Sequence, residues 1–249
     1  MLIKGFFCTC KGGRDVNQDN LFLNGIIPQG IAEAEMYSSK VCYKEVPIVI
    51  GVFDGLGGEG NGAAASFAAA QSLARLKEKI ACGNSPEHGF TAWAEQANRI
   101  ILNDSVGNGA TTAAIALIDR EGVTFAHLGD SRAYLIRCGR VLYVTEDHTE
   151  DAWLSKMGLP PKGNNRLTRY LGMDSEGLII EPTLSSTIKL KDGDCILLCT
   201  DGVWNAIEEQ CLTECAALQN DPADNLIRKA ADNGSTDNCT AIVLHVKTA

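Results

Sequence analysis

Val49-Ile-Gly-Val-Phe-Asp54-Gly-Leu-Gly-Gly-Glu-Gly-Asn-Gly62 admits two readings that lead to different folds. The apolar run up to Phe53 reads as a buried strand, and the glycines beyond Asp54 are too many to extend it. In one reading, Gly55-x-Gly57-x-x-Gly60 is a dinucleotide-binding loop between a strand and a helix. In the other, Asp54 is a carboxylate held at the mouth of a core strand. The next forty residues decide between them. Ala63 to Ile80 is alanine-rich, with Phe67, Leu73 and Leu76 at helical spacing. After a break at Cys82 to Pro86, a second helical pattern runs from Glu87 to Asn103, with Trp93, Ala97, Ile100 and Ile101 on one face. A dinucleotide fold needs a parallel strand after the first helix, ending in an acidic residue. Here a second helix comes instead, and Asp54 would set a negative charge against the pyrophosphate. The carboxylate reading stands.

Outward from this stretch the chain alternates strands and helix pairs. Residues 2–9 and 20–27 read as strands around a polar turn that carries Arg14, Gln18 and Asp19, and residues 28–40 form a polar excursion with no assigned structure. Strands are expected at 111–118, 122–128, 132–137 and 140–145, an antiparallel meander turning at Asp119 to Gly122, Gly129 to Ser131 and Cys138 to Arg140. A short helix at 149–158 and an irregular loop, Leu159-Pro-Pro-Lys-Gly-Asn-Asn165, come next. Strands at 178–189 and 194–200, helices at 208–218 and 222–232 and a strand at 238–246 complete the pattern. No linker, composition shift or internal repeat divides residues 1–249, which read as one domain with sheets at the centre and helix pairs outside.

Composition narrows the function. With 249 residues and 45% hydrophobic content the chain can bury a sizeable core. No apolar run approaches the roughly 20 residues of a membrane span. The start, Met1 to Cys10, lacks the longer apolar core of a secretion signal, so a cytoplasmic protein is expected. A net charge of -9 without a Lys/Arg run argues against a nucleic-acid partner. The ten cysteines include no Cys-x-x-Cys, which excludes zinc ribbons, and most lie in apolar runs as core residues of a reducing compartment. Cys8-x5-Arg14 has the spacing of cysteine-based phosphatases, but no helix starts after Arg14 to lower the thiol pKa, so Cys8 is not read as a nucleophile.

Acidic residues carry the chemistry. Asp54, Asp130, Asp201 and Asp237 each sit beside an apolar run. Clustered aspartates repel one another until a cation sits between them, so the four suggest a metal site. Oxygen ligands without a histidine pair favour Mg²⁺ or Mn²⁺ over zinc. Asp-Gly alone is a common turn, and Asp192-Gly193-Asp194, which precedes its strand, is read as one. Asp54-Gly55 and Asp201-Gly202 differ because they come after theirs. His148 lies close enough in sequence to these motifs to approach a site, and reads equally well as a turn or cap residue.

The order of motifs is more specific than any one of them. Arg-Asp-Val-Asn-Gln-Asp at 14–19, Phe-Asp-Gly-Leu-Gly-Gly at 53–58, Gly-Ala-Thr-Thr at 109–112 and Gly-Asp-Ser-Arg-Ala-Tyr-Leu at 129–135 precede four more. These are Asp-His-Thr at 147–149, Leu-Thr-Arg-Tyr-Leu-Gly at 167–172, Leu-Cys-Thr-Asp-Gly-Val-Trp at 198–204 and Asp-Asn-Cys-Thr at 237–240. The series resembles the metal-dependent serine/threonine protein phosphatases of type 2C, in their bacterial form, over nearly the whole chain. The resemblance implies an α+β fold, a four-layer α-β-β-α sandwich whose two central antiparallel sheets are flanked by helix pairs.

It also implies roles. Asp54 would bridge two Mn²⁺ or Mg²⁺ ions, with the Gly55 carbonyl on one and Asp201 and Asp237 on the other. Two such cations about 4 Å apart can activate a shared water and neutralise phosphoryl oxygens during in-line attack. Arg14 matches the phosphate-gripping arginine, and Asp19 an acidic residue that orients metal-bound waters. Asp130 matches a ligand, with Asp201, of a weaker third ion; its alternative reading is a hairpin turn. The implied partners are phosphorylated proteins and a serine/threonine kinase acting on the same substrates, with the chain a monomer. A phosphatase-like module that binds phosphoproteins without turnover is the alternative. The chain departs from the family where Leu56 replaces the histidine of eukaryotic members, where Gln18 replaces an acidic residue, and where the segment 149–166 is short for a flap.

Overall fold

Strand runs that are apolar at every position require a sheet covered on both faces. The computed structural model describes residues 1–31, 34–57, 61–81, 85–103, 109–174 and 180–248. Gly60, Cys82, residues 32–33 of the polar excursion and residues 178–179 of an expected strand lie outside the described residues. In chain order the elements are β1 (Leu2–Cys10), β2 (Asn20–Leu23), β3 (Met36–Tyr43), β4 (Ile48–Phe53), β5 (Gly55–Leu56), α1 (Asn61–Ala81) and α2 (Pro86–Asn103). They continue with β6 (Ala110–Thr111), β7 (Ala113–Ile118), β8 (Val123–Leu128), β9 (Arg132–Arg137), β10 (Arg140–Val144), α3 (Glu150–Lys156) and β11 (Thr183–Leu184). The chain ends with β12 (Cys195–Cys199), α4 (Asp201–Trp204), α5 (Glu209–Ala216), α6 (Pro222–Asp232) and β13 (Cys239–Lys247).

Two large antiparallel sheets result. One is six-stranded in the order β10-β9-β12-β13-β1-β3, the other five-stranded in the order β11-β8-β7-β4-β2, and β5 and β6 form a short pair. Side chains alternate between the two faces along each strand. Ile48, Ile50 and Val52 of β4 join Ile242, Leu244 and Val246 of β13 in a core cluster drawn from the two large sheets. Val49 and Phe53 of β4 pack instead with Leu73 of α1 and Trp93 and Ala97 of α2. Cys239, Ala241 and Val243 of β13 pack with Leu212 of α5 and Leu226 and Ile227 of α6. Trp93 can be buried because its Nε1 donates to Ser72 Oγ on α1 at 2.8 Å.

Several expectations need correction. The antiparallel meander over 111–145 is split: β7 and β8 pair in the five-stranded sheet, whereas β9 pairs with β10 and β12 in the six-stranded one. Gly129, with φ +94°, and Asp130 carry the chain from one sheet to the other. β3, in the segment left unassigned, is an edge strand whose residues are mostly exposed, so its polar sequence shows no alternation. Within its described part, residues 180–189, the strand expected at 178–189 is reduced to β11 plus a bridge from Ile188 to Val123. The strand expected at 20–27 likewise stops at Leu23, where Asn24 and Gly25 take positive φ. Among the described residues no helix is long and apolar enough to cross a membrane.

Phe125 lies fully buried in the cluster between the large sheets and stacks on Tyr143, centroids 5.2 Å apart. Phe125→Ala should lower unfolding free energy by about 3–5 kcal/mol in urea titrations. A change below about 1 kcal/mol would show that this layer does not support the sheets.

Candidate active site

Strand register gathers the candidate residues at one end of both sheets. In the six-stranded sheet, the end of β1 faces the start of β13 (Cys10 opposite Cys239), and the end of β12 faces the start of β9 (Cys199 opposite Arg132). The segment bearing Arg14 therefore leaves beside Asp237, and Asp201 emerges from β12 at the same end. In the five-stranded sheet, Asn20 at the start of β2 lies opposite Phe53 at the end of β4. Asp19 and Asp54 are thus neighbours. The crossing at Gly129–Ser131 brings Asp130 to this end as well. A cleft of about 670 Å³ is lined here by Arg14, Asp54, Gly55, Leu56, Asp201 and Asp237, among others. Among the described residues, no three His, Cys, Asp or Glu side chains converge closely enough to cage an ion by themselves.

Asp54 is held through its backbone. Its N–H donates to Thr112 Oγ1 at 3.1 Å, and its carbonyl accepts from Thr111 Oγ1 at 2.8 Å and from Thr112 N at 2.9 Å. Thr112 is itself tied to Ser131 Oγ at 2.6 Å. At Gly55 a Cβ would collide with the backbone carbonyls of Gln18 and Gly62. Gly55 is what lets β5 pass between the Asp19 segment and the start of α1.

Asp19 is completely buried. Its Oδ2 accepts from Thr200 Oγ1 at 2.9 Å and Thr240 Oγ1 at 2.7 Å, while its Oδ1 has no partner. Thr240 Oγ1 gives its proton to Asp19, so Thr9 Oγ1, 2.7 Å away, donates to Thr240 and accepts from Asn17 Nδ2 at 2.8 Å. Asn238 clamps the loop from the other side. Its Nδ2 donates to the carbonyls of Lys11 and Val16, at 2.8 and 3.1 Å, and its Oδ1 accepts from Gln18 N at 2.9 Å. These ties place Arg14 Nη2 3.0 Å from Asp237 Oδ2. Both partners are solvent-exposed, so the pair contributes little stability and is readily exchanged.

The carboxylates raise one another's pKa. Asp54 is pushed well above the ordinary range by burial, then by the charges of Asp19, Asp201 and Asp130, and it lies within hydrogen-bonding reach of Asp201. Asp19 is pushed to about 7 by burial and by Asp201 and Asp237, against the two threonine hydrogen bonds. Asp130 also rises to about 7 through burial and the charges of Asp201 and Asp147, and Asp201 rises through burial and Asp237. Such shifts mark a site short of positive charge.

The seven expected residues, Arg14, Asp19, Asp54, Gly55, Asp130, Asp201 and Asp237, are brought to one end of the fold. Asp130 stands beside Asp54 and Asp201 but is not itself among the residues that line the cleft. Its carbonyl accepts from Trp204 Nε1 at 2.9 Å, and Trp204 lies under Arg132, whose guanidinium forks onto Asp147 at 2.8 and 2.7 Å. His148 takes the structural reading: Nδ1 accepts from Gly129 N at 3.2 Å, Nε2 donates to Thr183 Oγ1 at 2.9 Å, and the ring stacks on His127. It steadies the Gly129 crossing. The sequence reading missed Asn238 and the threonines at 9, 111, 112, 200 and 240. Asn238 and four of these threonines fall inside quoted motifs, and the adjacency of Thr200 to Asp201 and of Asn238 to Asp237 was the available signal.

A folded-state pKa above the ordinary value means that the folded chain retains a proton the unfolded chain has lost. Asp19 therefore reduces stability as pH rises from 3.8 to about 7. In EDTA, the melting temperature of Asp19→Asn relative to wild type should climb across this window and level off above it. The slope corresponds to at most about 1.4 kcal/mol per pH unit. A difference independent of pH would contradict the buried, charge-crowded setting of Asp19.

Comparison with known proteins finds relatives of the chain. The protein phosphatase 2C family model matches residues 17–152. The serine/threonine phosphatase stp of Listeria monocytogenes is 31% identical over 218 residues, covering 80% of this chain and 84% of that protein. The serine/threonine protein phosphatase PstP of Mycobacterium tuberculosis is 30% identical over 210 residues, covering 80% of this chain but 40% of its own length. This chain thus spans less than half of PstP. The crystal structure of the PstP catalytic domain in complex with two manganese ions superposes with a TM-score of 0.74 at 23% identity, covering all of both chains. With a family match over more than half its length and relatives above the 30% level, the chain belongs to the protein phosphatase 2C family.

Proposed function

We propose that this protein hydrolyses phosphoserine and phosphothreonine esters in proteins with the help of two Mn²⁺ or Mg²⁺ ions. One observation carries the reading: an aspartate cluster, raised in pKa by burial and then by mutual repulsion, opens onto a cleft whose rim bears Arg14. The donor set fits such ions. It consists of hard oxygens, Asp19 Oδ1 lacks any partner, and ions of this kind keep several waters and need only one or two carboxylates each. When bound, the ion pair supplies an activated water and neutralises charge on the phosphoryl oxygens. The manganese ions in the structural relative support the same choice of cation.

The chain's own residues do the rest. Asp54, set between Asp19 and Asp201, would hold the ions together with the Gly55 carbonyl, Asp201 and Asp237. Asp19 holds the surrounding water in orientation through its free oxygen, its other oxygen being fixed by Thr200 and Thr240. Asp130, with Asp201, would hold a weaker third ion. Arg14, paired with Asp237 at an exposed position, would turn its planar fork to two phosphate oxygens. Leu56 lines the cleft where eukaryotic members carry a histidine, so no side chain at that position protonates the leaving oxygen.

Residues 1–249 act as one catalytic domain. Its three core clusters support the order helix pair, sheet, sheet, helix pair. We place it in the cytoplasm as a monomer acting on phosphorylated proteins, among them substrates of a serine/threonine kinase. The unpaired thiols at Cys8, Cys195 and Cys199 suit a reducing compartment.

Purified protein should release phosphate from p-nitrophenyl phosphate and a phosphothreonine peptide with Mn²⁺, and stop in EDTA. Asp54→Asn should slow the reaction about 100-fold or more, since even outer partners of metal ligands carry 10–100-fold effects. Undiminished turnover in EDTA would contradict the reading. Tight phosphopeptide binding without phosphate release would favour a binding module.

A further inference from the structure

Cys10 and Cys239 face each other across the β1–β13 pair, in the last register position before both strands run into the site. Residues directly opposite in an antiparallel pair have Cα atoms about 4.5–5.5 Å apart and side chains on one face. That separation lies within the range a disulfide spans. Both thiols are buried in the same cluster. Their side chains interact directly.

The other described cysteines lack this arrangement. Cys8 lies opposite Ala241 and Ser38, Cys195 opposite His245 and Ile136, and Cys199 opposite Ala241 and Arg132. Cys8, Cys195 and Cys199 are buried, and none of the three has a cysteine opposite it. Cys211 and Cys215 are one helical turn apart on α5, where Cβ atoms stand about 5–6 Å apart, beyond disulfide reach.

The segments adjoining the two cysteines give the pair its consequence. Gly13 N donates to Thr236 O at 2.9 Å, and a Cβ on Gly12 would collide with the Asp237 carbonyl. The Arg14 segment therefore lies directly on the segment that carries Asp237, closed by the ion pair between those two side chains. Cys239 Sγ is also 3.2 Å from the carbonyl of Gly202, next to Asp201.

We propose that Cys10 and Cys239 are a dithiol site that a hydroperoxide converts to a cross-strand disulfide, fixing the Arg14 segment against Asp237. The Cys10 thiolate attacks the peroxide oxygen, breaking the O–O bond and releasing alkoxide or hydroxide. Cys239 then attacks the resulting sulfenic sulfur and expels water. Two thiols lose two electrons and two protons, and the peroxide becomes an alcohol, or water, plus water. The bridge holds the ribbon in its closed form. Asp237 and Arg14 are then less free to exchange their ion pair for a cation and a phosphate.

The dithiol itself does not depend on the proposed phosphatase activity; its effect on turnover does. The test treats the full chain with a few equivalents of hydrogen peroxide, unfolds it, alkylates the remaining thiols and maps the peptides. The expected result is a linked Cys10–Cys239 peptide two hydrogens lighter, released by dithiothreitol and absent from Cys10→Ser. Mn²⁺ affinity by calorimetry should fall several-fold on oxidation of the wild type and stay constant in peroxide-treated Cys10→Ser. Cys10 and Cys239 remaining alkylatable while the exposed Cys42 and Cys138 are oxidised would overturn the site. A linked peptide with unchanged Mn²⁺ affinity would overturn its coupling to the cleft. The wild-type peptide map decides the first point even if the serine variant folds poorly, and it does so whether or not the chain turns over phosphate.

Discussion

Asp54 is surrounded by charges of its own sign. Asp19, Asp201 and Asp130 all raise its pKa, and the guanidinium near this end of the cleft, Arg14, sits at the rim and is committed to Asp237. Left alone, such a cluster opposes folding. The sheets hold it together because the strands that deliver the aspartates are anchored elsewhere, by side chains buried on both faces of each large sheet. Repulsion is thus stored at the end of a rigid framework. The same deficit of positive charge makes the site receptive to cations, since an ion placed among the carboxylates removes a penalty already present in the free protein.

Rigidity at the ion-binding end comes from neutral hydrogen bonds. Thr111 and Thr112 grip the backbone of Asp54, Thr200 and Thr240 grip one oxygen of Asp19, and Asn238 ties three points of the loop that carries Arg14. They leave Asp19 Oδ1 without a partner and Arg14 at the rim of the cleft. A charged scaffold would have neutralised the groups it was meant to present. This division of labour, hydroxyls and amides for position and aspartates for charge, is what a preorganised site requires.

Much of this was legible in the sequence because buried two-sided strands are apolar throughout and their exits are abrupt. The run into Asp54 and the run into Asp201 were read for that reason, and the helix pair after Asp54 excluded a dinucleotide fold. The type 2C resemblance then assigned the roles that spacing alone left open. Illegible parts have physical causes. β3 pairs along only one edge and faces solvent, so its sequence carries no alternation. The Gly129–Ser131 crossing looks like a hairpin turn because local sequence encodes the bend and not the sheet that the next strand joins. The clamping role of Asn238 depends on residues more than two hundred positions away and has no local signature.

Titration of Mn²⁺ into the metal-free protein, monitored by calorimetry in buffers of differing ionisation enthalpy, addresses the central claim most directly. Carboxylates that hold protons because they repel one another must release them when cations take their place. The account predicts two ions bound per chain at neutral pH, with proton release, and loss of this binding in Asp54→Asn. Binding without proton release, or unchanged stoichiometry in Asp54→Asn, would contradict it.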